Sequence, residues 1–442
     1  MRGFASLLSS LAPAAVLKPR HVAGRDSVTH TTLASGMQLI VWAQRDIPSI
    51  ALYNWVRVGS RNETPGSRGL AHFFEHMMFN GTHVRAPGEF DRLMESNGGS
   101  SNAYTSEDVT VYQDWLPSAA LESVLALEAD RIENLAFVPE IIERERGVVQ
   151  SERRLRVEDS AAGALSEAVQ EAAFIAHPYR VPIIGWPADI AGWTLADLQG
   201  FFNSWYAPNN QTLVLVGDVE PDAALQLAQR YLEPIARRAT PALELPEEPE
   251  QLGERRVRIE RSVQTGLLQY AYKAPAATDA RAPALQLLST LLTEGNASRL
   301  HRLLVEERQL AIDVGSVWNE GMDPGLFWIY AATPEEVSVH EVEQVLDAEL
   351  ARIASGAIAQ QELDRARNVR AASFWKKLAT IDGKAQLIGE YELIHGDWRR
   401  MFEIPEGWES VSLSKLKDTA HALLESSRRT AGTLEAGIAD EP

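Results

Sequence analysis

Apolar and polar residues alternate in patterns that divide the first half of the chain into strands and helices. Stretches rich in β-branched and aromatic residues predict adjacent strands at residues 37–43 and 50–58. A helix follows and is stopped by Asn80-Gly81. The next patterns predict a short helix at 88–96, a hairpin of 100–106 and 109–116, helices within 118–175, at 195–205 and at 221–233, and a strand at 211–218.

The pattern restarts after a segment of different composition. Residues 237–254 are rich in Pro, Glu and Arg and lack a clear period, which is typical of a linker. Beyond it we predict strands at 256–260 and 266–272 and a helix at 281–292. The repeat indicates an α+β protein of two homologous halves, residues 28–236 and 255–442, preceded by an N-terminal extension at residues 1–27.

Composition narrows the class of protein. A chain of 442 residues with 45% apolar and 23% charged residues is typical of a globular protein with at least two domains. The net charge of −19 argues against nucleic acid as a main partner, and no apolar run is long enough to predict a membrane-spanning helix. The chain has no cysteine, which excludes disulfides, a thiol nucleophile and thiolate metal ligands.

The candidate chemistry lies in one helix, in the stretch His72-Phe73-Phe74-Glu75-His76. Its H-x-x-E-H pattern is the inverted form of a zinc-peptidase signature. Positions i and i+4 share a helix face, so His72 and His76 can bind one metal ion while Glu75 lies beside it. Glu75 is then placed to take a proton from a water at the metal. The alternative is two histidines satisfied by ordinary hydrogen bonds on an amphipathic helix.

A third ligand is expected because catalytic zinc sites have three protein ligands and one open position. Residues 139–158 predict one long charged helix, with Pro139 in its first turn. Glu145 and Glu152 lie seven residues apart on it and therefore share a face. One can bind the metal while the other orients a histidine ligand or a water. The other charges of this helix are those of an ordinary solvated face.

At these residues the chain resembles the pitrilysin-type inverted-zincin metallopeptidases, which include the mitochondrial processing peptidase. It is most similar to the short bacterial members. The resemblance implies one Zn²⁺ per chain bound by His72, His76 and Glu152, with Glu75 as general base and Glu145 as the supporting acidic residue. The S-ribosylhomocysteine lyases share the H-x-x-E-H spacing, but they are shorter and need a catalytic cysteine that this chain lacks.

Further motifs extend the resemblance over residues 30 to 435. Stretches that match family positions in order are 177–179, 184–185, 206–209 and 213–218. The segment Ser101, Asn102, Ala103, Tyr104 and Thr105 resembles the edge strand on which the family pairs the backbone of a peptide substrate. The implied fold is that of the mitochondrial processing peptidase, with two halves facing each other around a peptide chamber. The implied function is that of a zinc metalloendopeptidase acting on unstructured peptides.

One expected pair of residues is missing from the second half. Single-chain family members carry there an arginine and, seven residues later, a tyrosine, which hold the substrate carbonyl as charge develops. Val305 and Ile312 occupy these positions, and Arg308, about 100° from a helical i+7 partner, is expected on the surface. We therefore expect a homologous partner that lacks H-x-x-E-H and supplies the pair. The alternatives are a self-sufficient homodimer and a non-catalytic assembly subunit.

The N-terminal residues bear on the cellular compartment of the protein. Arg2 followed by the apolar residues 4–17, with Ala12-Pro13-Ala14 as a small-residue site, has some signal-peptide character. The apolar run is short and interrupted by serines. Because bacterial relatives are often envelope proteins, the resemblance favours the periplasm over the cytoplasm.

Overall fold

The computed structural model describes residues 27–436, which form two β-sheets with helices packed on them. The predicted N-terminal extension therefore lies outside the described residues, apart from Ser27. The strands of the first sheet are β1 Val28–Thr32, β2 Gln38–Ala43, β3 Ser49–Val56, β4 Ser100–Thr105, β5 Thr110–Pro117 and β6 Gln211–Gly217. Those of the second sheet are β7 Arg255–Arg261, β8 Gly266–Ala274, β9 Asp313–Trp318, β10 Gly325–Thr333 and β11 Arg429–Ala436.

The helices divide between the same two parts of the chain. The first part contains α1 Leu70–Met77, α2 Glu89–Ser96, α3 Leu121–Asn134, α4 Pro139–Arg153, α5 Ala161–Ala173, α6 Pro187–Gly192, α7 Leu195–Trp205 and α8 Pro221–Tyr231. The second part contains α9 Ala282–Thr293, α10 Val339–Ala354, α11 Gln360–Leu378, α12 Ile381–Leu393, α13 Ile404–Glu409 and α14 Leu413–Leu423. No helix within residues 27–436 has both the length and the apolar character needed to cross a membrane.

The two sheets share one topology. The first has the order β1-β2-β6-β3-β5-β4 and the second β7-β11-β8-β10-β9. In each, one parallel pair, β2–β6 or β7–β11, is followed by three antiparallel pairs. The edge strands β4 and β9 are therefore structural equivalents. The prediction of an α+β protein with two homologous halves is confirmed.

Two details of the sheet prediction were wrong. The strands predicted at residues 37–43 and 50–58 are present as β2 and β3, but they are not adjacent, because β6 pairs between them. Strand order depends on pairings made far along the chain, and the local pattern does not contain that information. Strand β1 was not predicted, since its sequence, Val-Thr-His-Thr-Thr, has only one strongly apolar residue.

The long charged helix predicted at residues 139–158 also departs from a single α-helix. Helix α4 ends at Arg153, and Arg154–Glu158 continue as a π-helical turn. The amide of Asp159 donates to the carbonyl of Arg154 at 2.7 Å, a bond that spans five residues. Ser160 then accepts a bond from the amide of Gly163 and begins α5. Single π-helical turns are often found at functional sites.

The two halves are joined by an exchange of helices. Helix α5, from the first half, packs on β7, β8 and β11, where Leu165 and Val169 contact the core of the second sheet. Helix α12, from the second half, packs on β3 and β6 of the first sheet, with Ile388 in the shared core. Each sheet is thus covered on one face by a helix of the other half.

The segment predicted as a linker contains no helix or strand, yet it is bound to both halves. The carboxylate of Glu248 accepts bonds from the amides of Ile175 and Ala176, at 2.9 Å each. It also receives the ammonium of Lys273 at 3.1 Å. These contacts hold the connection against the end of α5.

Candidate metal centre

Helix α1 positions three of the predicted site residues. Gly69 precedes it with a φ of 89°, a conformation that favours glycine. The two carboxylate oxygens of Glu63 accept bonds from the amides of Gly69 and Ala71, at 2.7 and 2.8 Å. These amides are among those that a helix leaves unpaired at its N-terminus, so Glu63 fixes where α1 begins.

The apolar face of α1 determines the direction of the histidines. Phe73 packs on Trp193 with ring centroids 5.0 Å apart, and Phe74 stacks on Phe201 at 5.7 Å. Both phenylalanines are fully buried. The opposite face, with His72 and His76, therefore turns towards α4.

The candidate ligands come together at one point. Oε2 of Glu152 lies 3.7 Å from Nε2 of His72 and 3.3 Å from Nε2 of His76. The ligand atoms of all three residues lie within 4.8 Å of one another. A tetrahedral zinc ion with bonds of 2.0–2.2 Å would separate its ligands by roughly 3.3–3.6 Å. The two glutamate–histidine separations match this spacing, so two imidazoles and one carboxylate could bind zinc with one position left open.

Glu145 lies behind one of the two histidines. Its Oε1 is 3.0 Å from Nδ1 of His76. A proton on Nδ1 leaves Nε2 of His76 with a free lone pair directed at the cluster, which is the tautomer a metal ligand needs. Nδ1 of His72 is buried and has no hydrogen-bond partner among the described residues. A neighbouring carboxylate therefore orients His76 but not His72.

Electrostatics in the cluster favour a cation. Burial, followed by the charge of His76, lowers the pKa of His72 to about 4. Burial also acts against the charge on His76, but hydrogen bonds to Glu145 and Glu152 outweigh it and raise its pKa to about 9. The bond with His76 lowers the pKa of both glutamates. The field that retains a proton on His76 would also stabilise a divalent cation.

Glu75 stands next to the cluster but does not belong to it. Oγ1 of Thr105 donates to Oε2 of Glu75 at 2.6 Å. Burial raises the pKa of Glu75, and the bond from Thr105 acts in the opposite direction. Glu75 also lines an open cavity of about 660 Å³, together with His76 and Glu145. A carboxylate with raised pKa beside an open metal position can take up and release a proton.

Three of the five predicted substrate-binding residues line one side of the same cavity. They lie on β4, which pairs with β5 on one edge and ends the sheet on the other. Ser101, Asn102 and Ala103 line the cavity. Tyr104 turns away from it towards the second half, where its hydroxyl accepts a bond from Gln386 at 2.8 Å. An extended peptide could pair with the open edge of β4.

Sequence reasoning missed two groups that support the site. Glu63 gave no signal, because its contact with α1 depends on a loop conformation. Arg156 places Nη1 2.9 Å from Oε1 of Glu152, and this pair does have the i, i+4 spacing of a helical ion pair. The guanidinium of Arg156 is 71% exposed, so its effect on the carboxylate is screened by solvent.

The second half differs from what was expected around Val305. Residues His301–Glu307 form a π-helical turn, and Gln309 has a φ of 53°. The angle of 100° inferred for Arg308 was therefore wrong, because no regular helix reaches Ile312. Val305 packs against the core, whereas Ile312 is 58% exposed beside β9. Arg308 is exposed, as predicted.

Comparison with known families agrees with these features. The family model described as "Insulinase (Peptidase family M16)" matches residues 42–185, which include α1 and α4. The model described as "Peptidase M16 inactive domain" matches residues 192–370. The second match begins within the first half, before α7, so the boundary between the two models lies ahead of the segment that joins the halves.

Two bacterial relatives match over nearly the whole length. The zinc protease PqqE of Helicobacter pylori is 31% identical over 403 residues, covering 90% of each chain. YmxG of Bacillus subtilis, named an uncharacterized zinc protease, is 24% identical and covers 89% of this chain and 94% of its own.

Solved structures show the same fold. A protease from Helicobacter pylori has a TM-score of 0.89 at 30% identity, covering 92% of this chain and 99% of that one. A Pseudomonas fluorescens structure described as a peptidase M16 inactive domain has a TM-score of 0.86 at 19% identity, covering 94% and 99%. With its two halves, its H-x-x-E-H helix and these relatives, the chain belongs to the pitrilysin-type peptidase family M16.

Proposed function

We propose that this chain is a zinc-dependent endopeptidase that hydrolyses unstructured peptides. The observation that carries the proposal is the position of Glu75. This carboxylate lies beside a cluster of two imidazoles and a carboxylate without joining it, and an open cavity adjoins both. A purely structural zinc site is usually closed by four ligands and needs no such neighbour.

Each residue then has a defined part in hydrolysis. His72, His76 and Glu152 hold the ion, and Glu145 keeps His76 in the tautomer that binds it. Zinc, when bound, supplies the Lewis acidity that lowers the pKa of a water and polarises the scissile carbonyl. Glu75 takes the proton of the attacking water and delivers it to the leaving amine.

Substrate binding is assigned to the open edge of β4. A peptide that pairs there contributes main-chain hydrogen bonds, which any sequence can make, so the substrate must be extended. The side chains of a paired strand alternate between its two faces. One set is directed to the cavity of about 660 Å³ beside His76. The other set is directed to the side of Tyr104 and the second half.

We further propose that a homologous subunit completes the site. Neither Val305 nor Ile312 can donate to a developing oxyanion, and the loss of one such donor typically costs about a hundredfold or more in rate. A partner without H-x-x-E-H that carries the Arg/Tyr pair would supply it. A homodimer with another stabiliser is the alternative. A non-catalytic assembly role is disfavoured, because all four motif residues are present.

A periplasmic location is part of the same proposal. One solved structure, described as the periplasmic protease PqqL of Escherichia coli, has a TM-score of 0.78 at 21% identity. This chain covers 48% of its length. Release of this chain with the periplasmic fraction of its source cells would support the location, and recovery with the cytoplasmic fraction would contradict it.

The test is hydrolysis of a quenched, unstructured peptide by the purified chain with zinc. It is run alone and mixed with a homologous chain from the same organism that lacks H-x-x-E-H. Activity that is lost with a chelator and restored by zinc supports the proposal, and activity only in the mixture supports the two-subunit form. Chelator-sensitive activity of the chain alone would overturn the need for a partner.

The matched control is Glu75→Gln, which keeps the size and position of the side chain. We expect it to bind zinc as the wild-type chain does and to lose turnover. If the wild-type chain hydrolyses no peptide, either alone or mixed with the homologous chain, the proposed function is contradicted. Turnover retained by Glu75→Gln would remove Glu75 from the role of base.

A further inference from the structure

The hydroxyl of Thr105 makes a short contact with the proposed base. Its Oγ1 donates to Oε2 of Glu75 at 2.6 Å, and the bond connects the last residue of β4 to α1. The edge strand had been expected to act through its main chain. The side chain of Thr105 points instead at Glu75, so β4 also contacts the proposed base through a side chain.

This bond restricts the rotation of the Glu75 carboxylate. The terminal torsion of a glutamate has a broad energy profile, so an unpaired carboxylate samples many orientations. A hydroxyl donor on Oε2 selects one orientation and leaves Oε1 free. The β-branched side chain of Thr105 is itself stiff, because few χ1 rotamers are allowed.

The strand that carries Thr105 is held rigidly at its end. Thr105 pairs with Thr110 across the hairpin. The turn between them is closed by the amide of Ser106, which donates to the carbonyl of Val109 at 2.8 Å. The hydroxyl of Ser106 accepts the amide of Val109 at 3.1 Å. These bonds fix the backbone at Thr105 and therefore the position from which its hydroxyl reaches Glu75.

The same turn is anchored to both halves of the molecule through Asp108. Its carboxylate accepts bonds from the hydroxyl of Tyr179 at 2.7 Å and from the guanidinium of Arg61 at 3.0 Å, both in the first half. It also accepts the amide of Met322, in the second half, at 2.9 Å. Asp108 is buried, so these bonds are shielded from water. The position of the hairpin is thus defined by both halves.

We propose that Thr105 is a positioning residue for Glu75, a role that rests on the proposed peptidase function. Its hydroxyl sets the orientation of the carboxylate that takes and delivers the proton. Because a bound peptide would pair with the same strand, the scissile bond and the base are aligned by one rigid element. The hydroxyl makes no contact with the peptide in this arrangement.

The test separates binding from chemistry by comparing kcat and KM. Thr105→Val removes the hydroxyl and keeps the branched shape and the strand backbone. Misplacing a catalytic group by about 1 Å can cost on the order of a hundredfold, so we expect kcat to fall by about 10- to 100-fold. KM and zinc content should stay unchanged. Thr105→Ser, which retains the donor, should recover most of the lost kcat.

The matched control is Thr110→Val, on the opposite strand of the hairpin. Thr110 donates to the carbonyl of Val58 and does not contact Glu75. This control removes a fully buried hydroxyl from the same hairpin, and we expect it to lose stability but keep kcat. If Thr105→Val does not fold, Thr105→Ala removes the hydroxyl without the branched bulk.

A binding measurement on inactive protein gives a second readout. Peptide affinity is compared between Glu75→Gln and the double variant Glu75→Gln/Thr105→Val, and we expect equal values. Weaker binding by the double variant would overturn the proposal by showing that the hydroxyl contacts the peptide. Full kcat in Thr105→Val would overturn the positioning role alone. A wild-type chain without hydrolysis, alone or with its homologue, would overturn the proposed function and this role with it.

Discussion

Nδ1 of His76 lies 3.0 Å from Oε1 of Glu145, whereas Nδ1 of His72 is buried without a partner. One helix, α4, thus provides both Glu152, a candidate metal ligand, and Glu145, which orients a ligand from behind. Among the described residues, Nδ1 of His72 has no such partner behind it, and the carboxylate of Glu152 lies 3.7 Å from its Nε2. Loss of the Glu145 carboxylate should therefore affect one ligand and not the other.

The first prediction concerns this carboxylate. We expect Glu145→Ala to weaken zinc binding by about 10- to 100-fold, because outer-shell partners of this kind typically contribute that much. Competition with a chromophoric chelator measures the affinity directly. Glu140→Gln changes an exposed glutamate on the first turn of the same helix and serves as the control. Equal affinities for Glu145→Ala and the control would mean that the bond with His76 does not support the metal.

The second prediction concerns Glu63, which caps α1. Glu63→Ala leaves the amides of Gly69 and Ala71 without their acceptor in a buried region, and we expect the free energy of unfolding to fall by about 1–3 kcal/mol. Glu63→Gln retains one acceptor oxygen and should lose less. Urea unfolding of the three chains gives the comparison. An alanine variant as stable as the wild type would show that water satisfies these amides.

The third prediction concerns the contact between the halves at Gly389. A Cβ at this position of α12 would overlap the indole of Trp55 on β3, which is buried. We expect Gly389→Ala to destabilise the chain by about 1–3 kcal/mol, despite the gain in helix propensity. Gly200→Ala, in α7, meets no atom within 4 Å and should stabilise by about 0.5–1 kcal/mol. Similar effects of both changes on the unfolding midpoint would argue against close packing of α12 on the first sheet.

The fourth prediction is a pH dependence of stability at Glu320. Burial, followed by repulsion from Glu390, raises the pKa of Glu320 to about 7, above the value of about 4.3 expected in the unfolded chain. Between these values the folded state binds a proton that the unfolded state does not. The contribution of Glu320 to stability therefore falls as the pH rises through this window.

The measurement compares Glu320→Gln with the wild type by urea unfolding at pH 5 and pH 8. The uncharged variant lacks the unfavourable ionisation, so its stability relative to the wild type should increase at pH 8 by about 1–3 kcal/mol. A difference that is the same at both pH values would mean that Glu320 ionises freely in the folded chain.

The residues of the candidate metal centre could be grouped from the sequence because they lie at helical spacings. His72, Glu75 and His76 are within two turns of α1, and Glu145 and Glu152 are two turns apart on α4. Helix periodicity alone places each set on one face. That the two faces meet was an inference from resemblance, since no local pattern relates α1 to α4.

The supporting contacts were beyond prediction for a physical reason. The bond from Thr105 to Glu75 and those of Glu63 to α1 depend on how a hairpin and a loop are set in three dimensions. The position of β6 between β2 and β3 depends on pairing across most of the first half. Such features are determined by tertiary packing, which overrides local preference. The π-helical turn after Arg153 likewise has no signal in the sequence period.

The exchange of α5 and α12 between the halves has a consequence for how the protein is made. When the ribosome has completed α8, one apolar face of the first sheet is still bare, because α12 has not yet been synthesised. At that stage α5 has no sheet to cover. Neither half can complete its hydrophobic core alone. The packing of these two helices, rather than the connection through residues 237–254, therefore holds the halves together. A gene split within that segment would yield two polypeptides that depend on each other to fold.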